Sequence, residues 1–130
     1  MIVLDASAVI EWLLQTPTGT RVEQRIFTAV PSLHAPHLLD IEVTQVLRRY
    51  VAARHLTAIR AEEAMQDLLG LPLTRYPHDL LLWRIWDLRH ALTAYEAAYV
   101  ALAEMLRAPL ITCDRRMASA SGHSAVIEVM

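Results

Sequence analysis

Lysine is absent from this sequence: every one of the twelve basic residues is arginine. That removes the Schiff-base lysine, the P-loop lysine and the lysine that a receiver-type sheet carries. Glycine is nearly as scarce. Gly19, Gly70 and Gly122 are too few and too scattered to form a phosphate-cradling loop. A single cysteine, Cys113, excludes an internal disulfide and points to the cytoplasm. No apolar run approaches the length of a membrane span. The opening MIVLDAS has no basic region and carries an acid at position 5, unlike a signal peptide. A basic excess is missing too. The net charge of −2 is not that of an obvious nucleic-acid binder.

What is present is a chain of 130 residues with an apolar fraction of 55%, enough for one domain over residues 1–130 with a buried core. IVLD reads as a first strand and ASAVIEWLLQ as a helix, capped by Asp5 or Ser7. TPTGT breaks the pattern, and a second helix is expected through Val30. PSLHAP holds a short strand. From His37 to Arg54 the pattern is helical, with Leu39, Val43, Val46, Leu47 and Tyr50 on one face. Thr57 opens a helix that ends at Gly70. PLTRY reads as a strand, HDLLLWRIWDLRH as one helix, and residues 93–107 as another. APLITCD and SAVIEVM close the chain as strands. This alternation predicts an α/β domain with a mainly parallel sheet.

Most of the fourteen acids fall where solvent is expected; four do not. Asp5 follows the apolar run IVL, and Asp114 follows LITC, so both end strands. Ligands of open α/β sheets bind beyond the carboxyl ends of the strands. Glu42 lies three residues after Leu39 and four before Val46, on the apolar face of its helix. Glu96 has Tyr99, Val100 and Ala103 at i+3, i+4 and i+7, again an apolar face. Each acid also has a plainer role. Asp5 can cap the next helix, Asp114 can cap a turn before RRM, and Glu42 can reach water from a boundary position. Thr93-x-x-Glu96 has the spacing of a capping box. One such acid means little, but four at two strand ends and on two apolar faces are improbable as coincidence.

If the four converge, their charges repel, burial sharpens the repulsion, and a cation must offset it. Oxygen-rich ligation suits Mg²⁺ or Mn²⁺ rather than zinc, which favours His and Cys. Such an ion binds a phosphodiester oxygen and activates water for in-line attack. With these four acids set aside, the rest of the chain is net positive, and its surface can face RNA.

The stretches MIVLDASAVIEWLL, LLDIEVTQVLRR, LRHALTAYEAAYVALAE and PLITCDRRM resemble, in that order, the PIN domain, and more closely the VapC toxin ribonucleases of bacterial toxin–antitoxin pairs. The resemblance spans nearly the whole chain. It implies a three-layer α/β/α fold around a parallel sheet and Mg²⁺- or Mn²⁺-dependent endonucleolytic cleavage of RNA. It also implies a homodimer and inhibition by a cognate VapB-type antitoxin. The family's first aspartate falls on Asp5, its helix glutamate on Glu42 and its last aspartate on Asp114, all as catalytic metal ligands. Its supporting hydroxyls fall on Ser7 and Thr112. The third acid, usually aspartate in TxxDxxY, is Glu96 here, with a side chain longer by one C–C bond, roughly 1.5 Å. Mg²⁺ demands near-octahedral geometry. That departure keeps a second reading open: a PIN-like domain that binds RNA or a protein partner with little or no cleavage.

The remaining features say less. Arg115 and Arg116 directly follow Asp114, where phosphate contact is expected, with exposed arginines that lack partners as the alternative. His34 and His37 flank Pro36 without a third soft ligand nearby, so packing or surface roles are expected. Cys113 is expected in the core. Trp83 and Trp86, three residues apart, are expected in the core or in a dimer contact rather than on bases. A phosphotransferase of the haloacid-dehalogenase type would need an acid where this chain has Ser7, and a lysine as well.

Overall fold

In the computed structural model, which describes residues 1–29 and 31–130, three residues of the first apolar run form strand β1 (Ile2–Leu4), buried throughout. Helix α1 (Ala6–Leu13) starts at once, because the Asp5 carboxylate accepts the Ala8 N–H. Gln15 turns back in the left-handed region, at φ 56°. Helix α2 (Pro17–Phe27) follows, with Thr16 as its cap and Pro17 in its first turn. Val30, the expected end of this helix, lies outside the described residues. The two helices pack closely at Gly19, where a Cβ would stand 2.0 Å from the Glu11 carbonyl oxygen. Strand β2 (Leu33–Pro36), helix α3 (Leu38–Ala52) and helix α4 (Ala58–Gly70), capped by Thr57, match the sequence expectation closely. So does strand β3 (Leu73–Tyr76).

The expected helix over residues 78–90 is cut short. Its first part is a 3-10 turn, Asp79–Leu81, and only helix α5 (Leu82–Asp87) is α-helical. Leu80, Leu82, Trp83 and Trp86 are all exposed, while Leu81 and Leu88 are buried. Apolar residues that run consecutively cannot all share one buried face. The Asp79 carboxylate also accepts the Leu80 N–H, a local bond that competes with regular helix.

Helix α6 (Ala94–Leu106) is buried at every position from Ala97 to Ala103. Its alanines let it approach β1, β2 and strand β4 (Leu110–Thr112). β4 is shorter than the run APLITCD, because helix α7 (Arg115–Ser119) begins at Asp114, whose carboxylate accepts the Arg116 N–H. Strand β5 (Ile127–Val129) completes the fold.

The five strands make one sheet in the order β3-β2-β1-β4-β5, and every neighbouring pair is parallel. The chain thus moves outward from β1 to β3, then returns past β1 to β4 and β5. Right-handed crossovers put the connecting helices of those two journeys on opposite faces of the sheet. α1 to α4 belong to the first journey, and α5 to α7 to the second. The reversal lies between β1 and β4, so the crevice beyond their carboxyl ends is the natural binding position. Among the described residues no helix is long and apolar enough to cross a membrane.

Candidate active site

Asp5 stands where β1 ends and α1 begins, and it is only 4% exposed. Its Oδ1 accepts hydrogen bonds from the Ser7 hydroxyl at 2.7 Å and the Ala8 N–H at 3.0 Å. Its Oδ2 accepts one from the Thr112 hydroxyl. A carboxylate offers about four lone-pair positions. Three are taken, and the one left is on Oδ2. Burial pushes the Asp5 carboxyl above the usual carboxylate range. The bonds from Thr112, Ala8 and Ser7 oppose that shift, and repulsion from Glu42 adds to it.

Ser7 and Thr112 do more than touch Asp5. The Ser7 oxygen accepts the Cys113 N–H, and the Thr112 oxygen accepts the Asp114 N–H, both at 2.9 Å. The two hydroxyls therefore tie the ends of β1 and β4 together around one carboxylate. Asp114 is a correction to the sequence reading. It lies two residues beyond β4, as the cap of α7, and not at the last position of the strand.

Glu42 is half-buried on α3, and its Oε1 accepts the Tyr99 hydroxyl from α6. Tyr99 is buried, and its phenol is pushed far above its ordinary range. Burial is the largest cause, followed by the bond to Glu42 and repulsion from Glu42 and Asp5. Sequence reasoning assigned Tyr99 no role beyond marking an apolar face. The signal was there: a tyrosine buried three residues after an acid needs an acceptor for its hydroxyl.

Glu96 has its plain role in full. The Thr93 hydroxyl accepts the Glu96 N–H at 3.1 Å, and Glu96 Oε1 accepts the Thr93 N–H at 3.2 Å, a complete capping box. The same Oε1 also accepts from the Arg116 guanidinium at 3.1 Å. Arg115 is exposed.

All four acids line one cleft of about 560 Å³, together with Ser7, Gln45, Arg49, Tyr95 and Tyr99. Arg49 was not expected there, although it lies seven residues after Glu42 on the same face of α3. The donor set is all oxygen, which suits a hard cation. Among the described residues, however, no three acids, histidines or cysteines stand close enough together to hold a metal ion as placed.

The side features separate cleanly. His34 is buried between the Ser32 hydroxyl and the Tyr76 hydroxyl, each at 2.7 Å, so it packs as expected. Exposed His37 instead faces His78, with ring centroids 6.0 Å apart. Trp83 and Trp86 correct the core reading: they are 83% and 58% exposed, and Arg89 stacks over Trp86. Cys113 is half-buried rather than core, and burial raises its thiol.

Comparison with known proteins agrees with this architecture. The family model of the PIN domain matches residues 2–122. The chain is 41% identical over 130 residues to Ribonuclease VapC12 of Mycobacterium tuberculosis, a match covering 100% of this chain and 99% of that protein. It is 40% identical over 130 residues to Ribonuclease VapC9 of the same organism, covering 100% and 98%. A chain of VapBC2 from Rickettsia felis, solved on a promoter DNA fragment, superposes with a TM-score of 0.71 at 10% identity, over 99% of this chain and 98% of that one. VapC20 of Mycobacterium tuberculosis, described as a toxin that cleaves the sarcin–ricin loop, superposes with a TM-score of 0.67 at 16% identity, over 97% and 98%. The two superpositions carry the fold; the two full-length identities carry the family. The chain belongs to the PIN-domain proteins and, among them, to the VapC ribonucleases.

Proposed function

We propose that this chain, as a single PIN domain, is the toxin of a type II toxin–antitoxin pair and cuts RNA in the cytoplasm with Mg²⁺ or Mn²⁺. One observation carries the reading: acids from four separate elements, Asp5, Glu42, Glu96 and Asp114, line one cleft at the point where the strand order reverses. The full-length identity to VapC ribonucleases supports it. The four carboxylates would hold the ion, which when bound polarises the phosphodiester and makes water a better nucleophile. Asp5 would bind through the open position on Oδ2. Ser7 and Thr112 fix the angle of that carboxylate, and Tyr99 fixes Glu42. Arg115 and Arg116, beside Asp114, would hold substrate phosphates.

The partners follow from the same reading. A VapB-type antitoxin would inhibit by inserting an arginine, whose fork matches carboxylates, into the acidic cleft. The face around Trp12 and exposed Phe27, whose rings meet edge to face, would add apolar contact. A second copy would cover Leu80, Leu82, Trp83 and Trp86, since an apolar patch of this kind marks an association surface.

A second reading has its own observation. Glu96 Oε1 is shared between Thr93 and Arg116, and among the described residues no three acids stand together, which favours a domain that binds RNA or a protein partner and cuts slowly or not at all. The test is cleavage of end-labelled structured and unstructured RNAs with Mg²⁺, Mn²⁺ or a chelator, beside an Asp5→Asn control. Metal-dependent cutting that the control lacks supports the enzyme. RNA retained without cutting in every metal supports the binding domain.

A further inference from the structure

The protein contains five side-chain ion pairs among its described residues, three of them bidentate and two single contacts. Arg25–Glu128, Arg75–Asp40 and Arg84–Glu104 are each bidentate, with both bonds between 2.7 and 3.1 Å. Their arginine side chains are 24% to 38% exposed. These three clamp one element to another. Arg60–Glu63 is a loose contact at 3.6 Å within one helix. Arg116–Glu96 joins α7 to α6 through a single contact at 3.1 Å, from an arginine that is 75% exposed to a glutamate that is 12% exposed.

That asymmetry matters because of where the pair sits. Glu96 lines the acidic cleft with Asp5, Glu42 and Asp114. The Arg116 backbone N–H is held by the Asp114 carboxylate at 2.9 Å, so the root of the side chain is anchored at the cleft. The head is the only arginine group bonded to any of these four acids among the described residues. A cleft of carboxylates needs positive charge whether or not a divalent ion is bound. A monodentate, exposed arginine supplies it weakly and lets go easily.

We propose that Arg116 is the counter-ion of Glu96 at the edge of this cleft, which Arg49 also lines. Without a divalent ion it neutralises Glu96. When the ion binds, Glu96 leaves Arg116 and joins the ion, and the freed guanidinium takes a substrate phosphate. The proposal rests on the four acids being the metal site.

The experiment measures Mn²⁺ binding to the metal-free protein by electron paramagnetic resonance of the free ion, without RNA. A second assay measures KM for a labelled single-stranded RNA. Arg115→Ala removes the same charge one residue away from an exposed side chain, and so controls for the general loss of positive potential. Arg116→Ala should bind Mn²⁺ about two- to fivefold more tightly than Arg115→Ala, the range expected when an exposed ion pair no longer competes. It should also raise KM more than Arg115→Ala does. Equal Mn²⁺ affinities for the two variants overturn the proposal, and a raised KM alone does not rescue it. Parent protein that binds no Mn²⁺, or binds it as well after Asp5→Asn, instead overturns the metal-site reading beneath it. Arg116 is exposed, so both variants should fold, and a melting curve checks that they do.

Discussion

Glu96 carries two roles that a single pair of substitutions separates. As the third residue of α6 it accepts the Thr93 N–H, and Thr93 accepts its own N–H in return. Thr93→Ala removes the cap and should cost about 0.5–2 kcal/mol. For a domain of this size that lowers the melting temperature by roughly 2–10 °C. Glu96→Gln behaves differently, because glutamine completes a capping box as glutamate does. What it loses structurally is the charge in a monodentate pair with an arginine that is 75% exposed. Such exposed pairs are worth roughly 0.2–1 kcal/mol in water, and this one belongs near the lower end. Glu96→Gln should therefore melt within a few degrees of the parent. Its cleavage of RNA at saturating Mn²⁺ should nonetheless fall by at least an order of magnitude, since a neutral amide is a poor ligand for a hard cation. Thr93→Ala should keep most of the parent rate at temperatures where it is folded. The assays are thermal melts of the metal-free proteins and single-turnover cleavage of a labelled RNA. Parent-like turnover in Glu96→Gln at saturating metal would leave Glu96 a helix cap and nothing more.

Three further outcomes follow from individual contacts. Asp5→Asn should leave the metal-free melting temperature level or higher and abolish cleavage. A carboxyl raised by burial costs stability wherever it is ionised, above its folded pKa, and asparagine removes that cost; a clear drop would make the three accepted hydrogen bonds the larger effect. Tyr99→Phe should cost about 1–3 kcal/mol by leaving Glu42 without its buried donor, and it should weaken Mn²⁺ binding; unchanged urea midpoints and unchanged affinity would dismiss the bond. Glu104→Gln should flatten the acid limb of stability. Glu104 is held below its ordinary value, first by the bond from Arg84, so its contribution is complete above the unfolded value and vanishes as pH falls through the folded one. Urea midpoints from pH 6 down to 3 that fall as steeply in the variant as in the parent would refute that linkage.

The readable parts of this sequence were those where one residue settles a local choice. Thr57, Thr93 and Asp5 cap the helices that follow them, as their spacing announced. The alternation of apolar runs and helical faces led to a parallel sheet, because strands buried on both faces need covering helices. The four acids were legible for a different reason: in the sequence each stands beside an apolar run or on an apolar helix face, where a charge is conspicuous. Three features resisted. The segment 78–90 has enough leucine and tryptophan for a helix, but its apolar residues are adjacent, and only tertiary packing decides that Leu81 and Leu88 go inward while Trp83 goes out. The end of β4 was overrun because Asp114 satisfies a backbone N–H of α7, and a carboxylate two residues past a strand reads much like one at its end. The partners of Glu42 and Glu96 were hidden most deeply. Tyr99 lies 57 residues from Glu42, and Arg116 lies 20 from Glu96. Nothing local encodes either pairing; both arise because right-handed crossovers return α6 and α7 to the end of the sheet where α3 starts. The acids that line the cleft therefore stand out in the sequence, as does the capping box that holds Glu96, while Tyr99 and Arg116 are brought to Glu42 and Glu96 only by the topology.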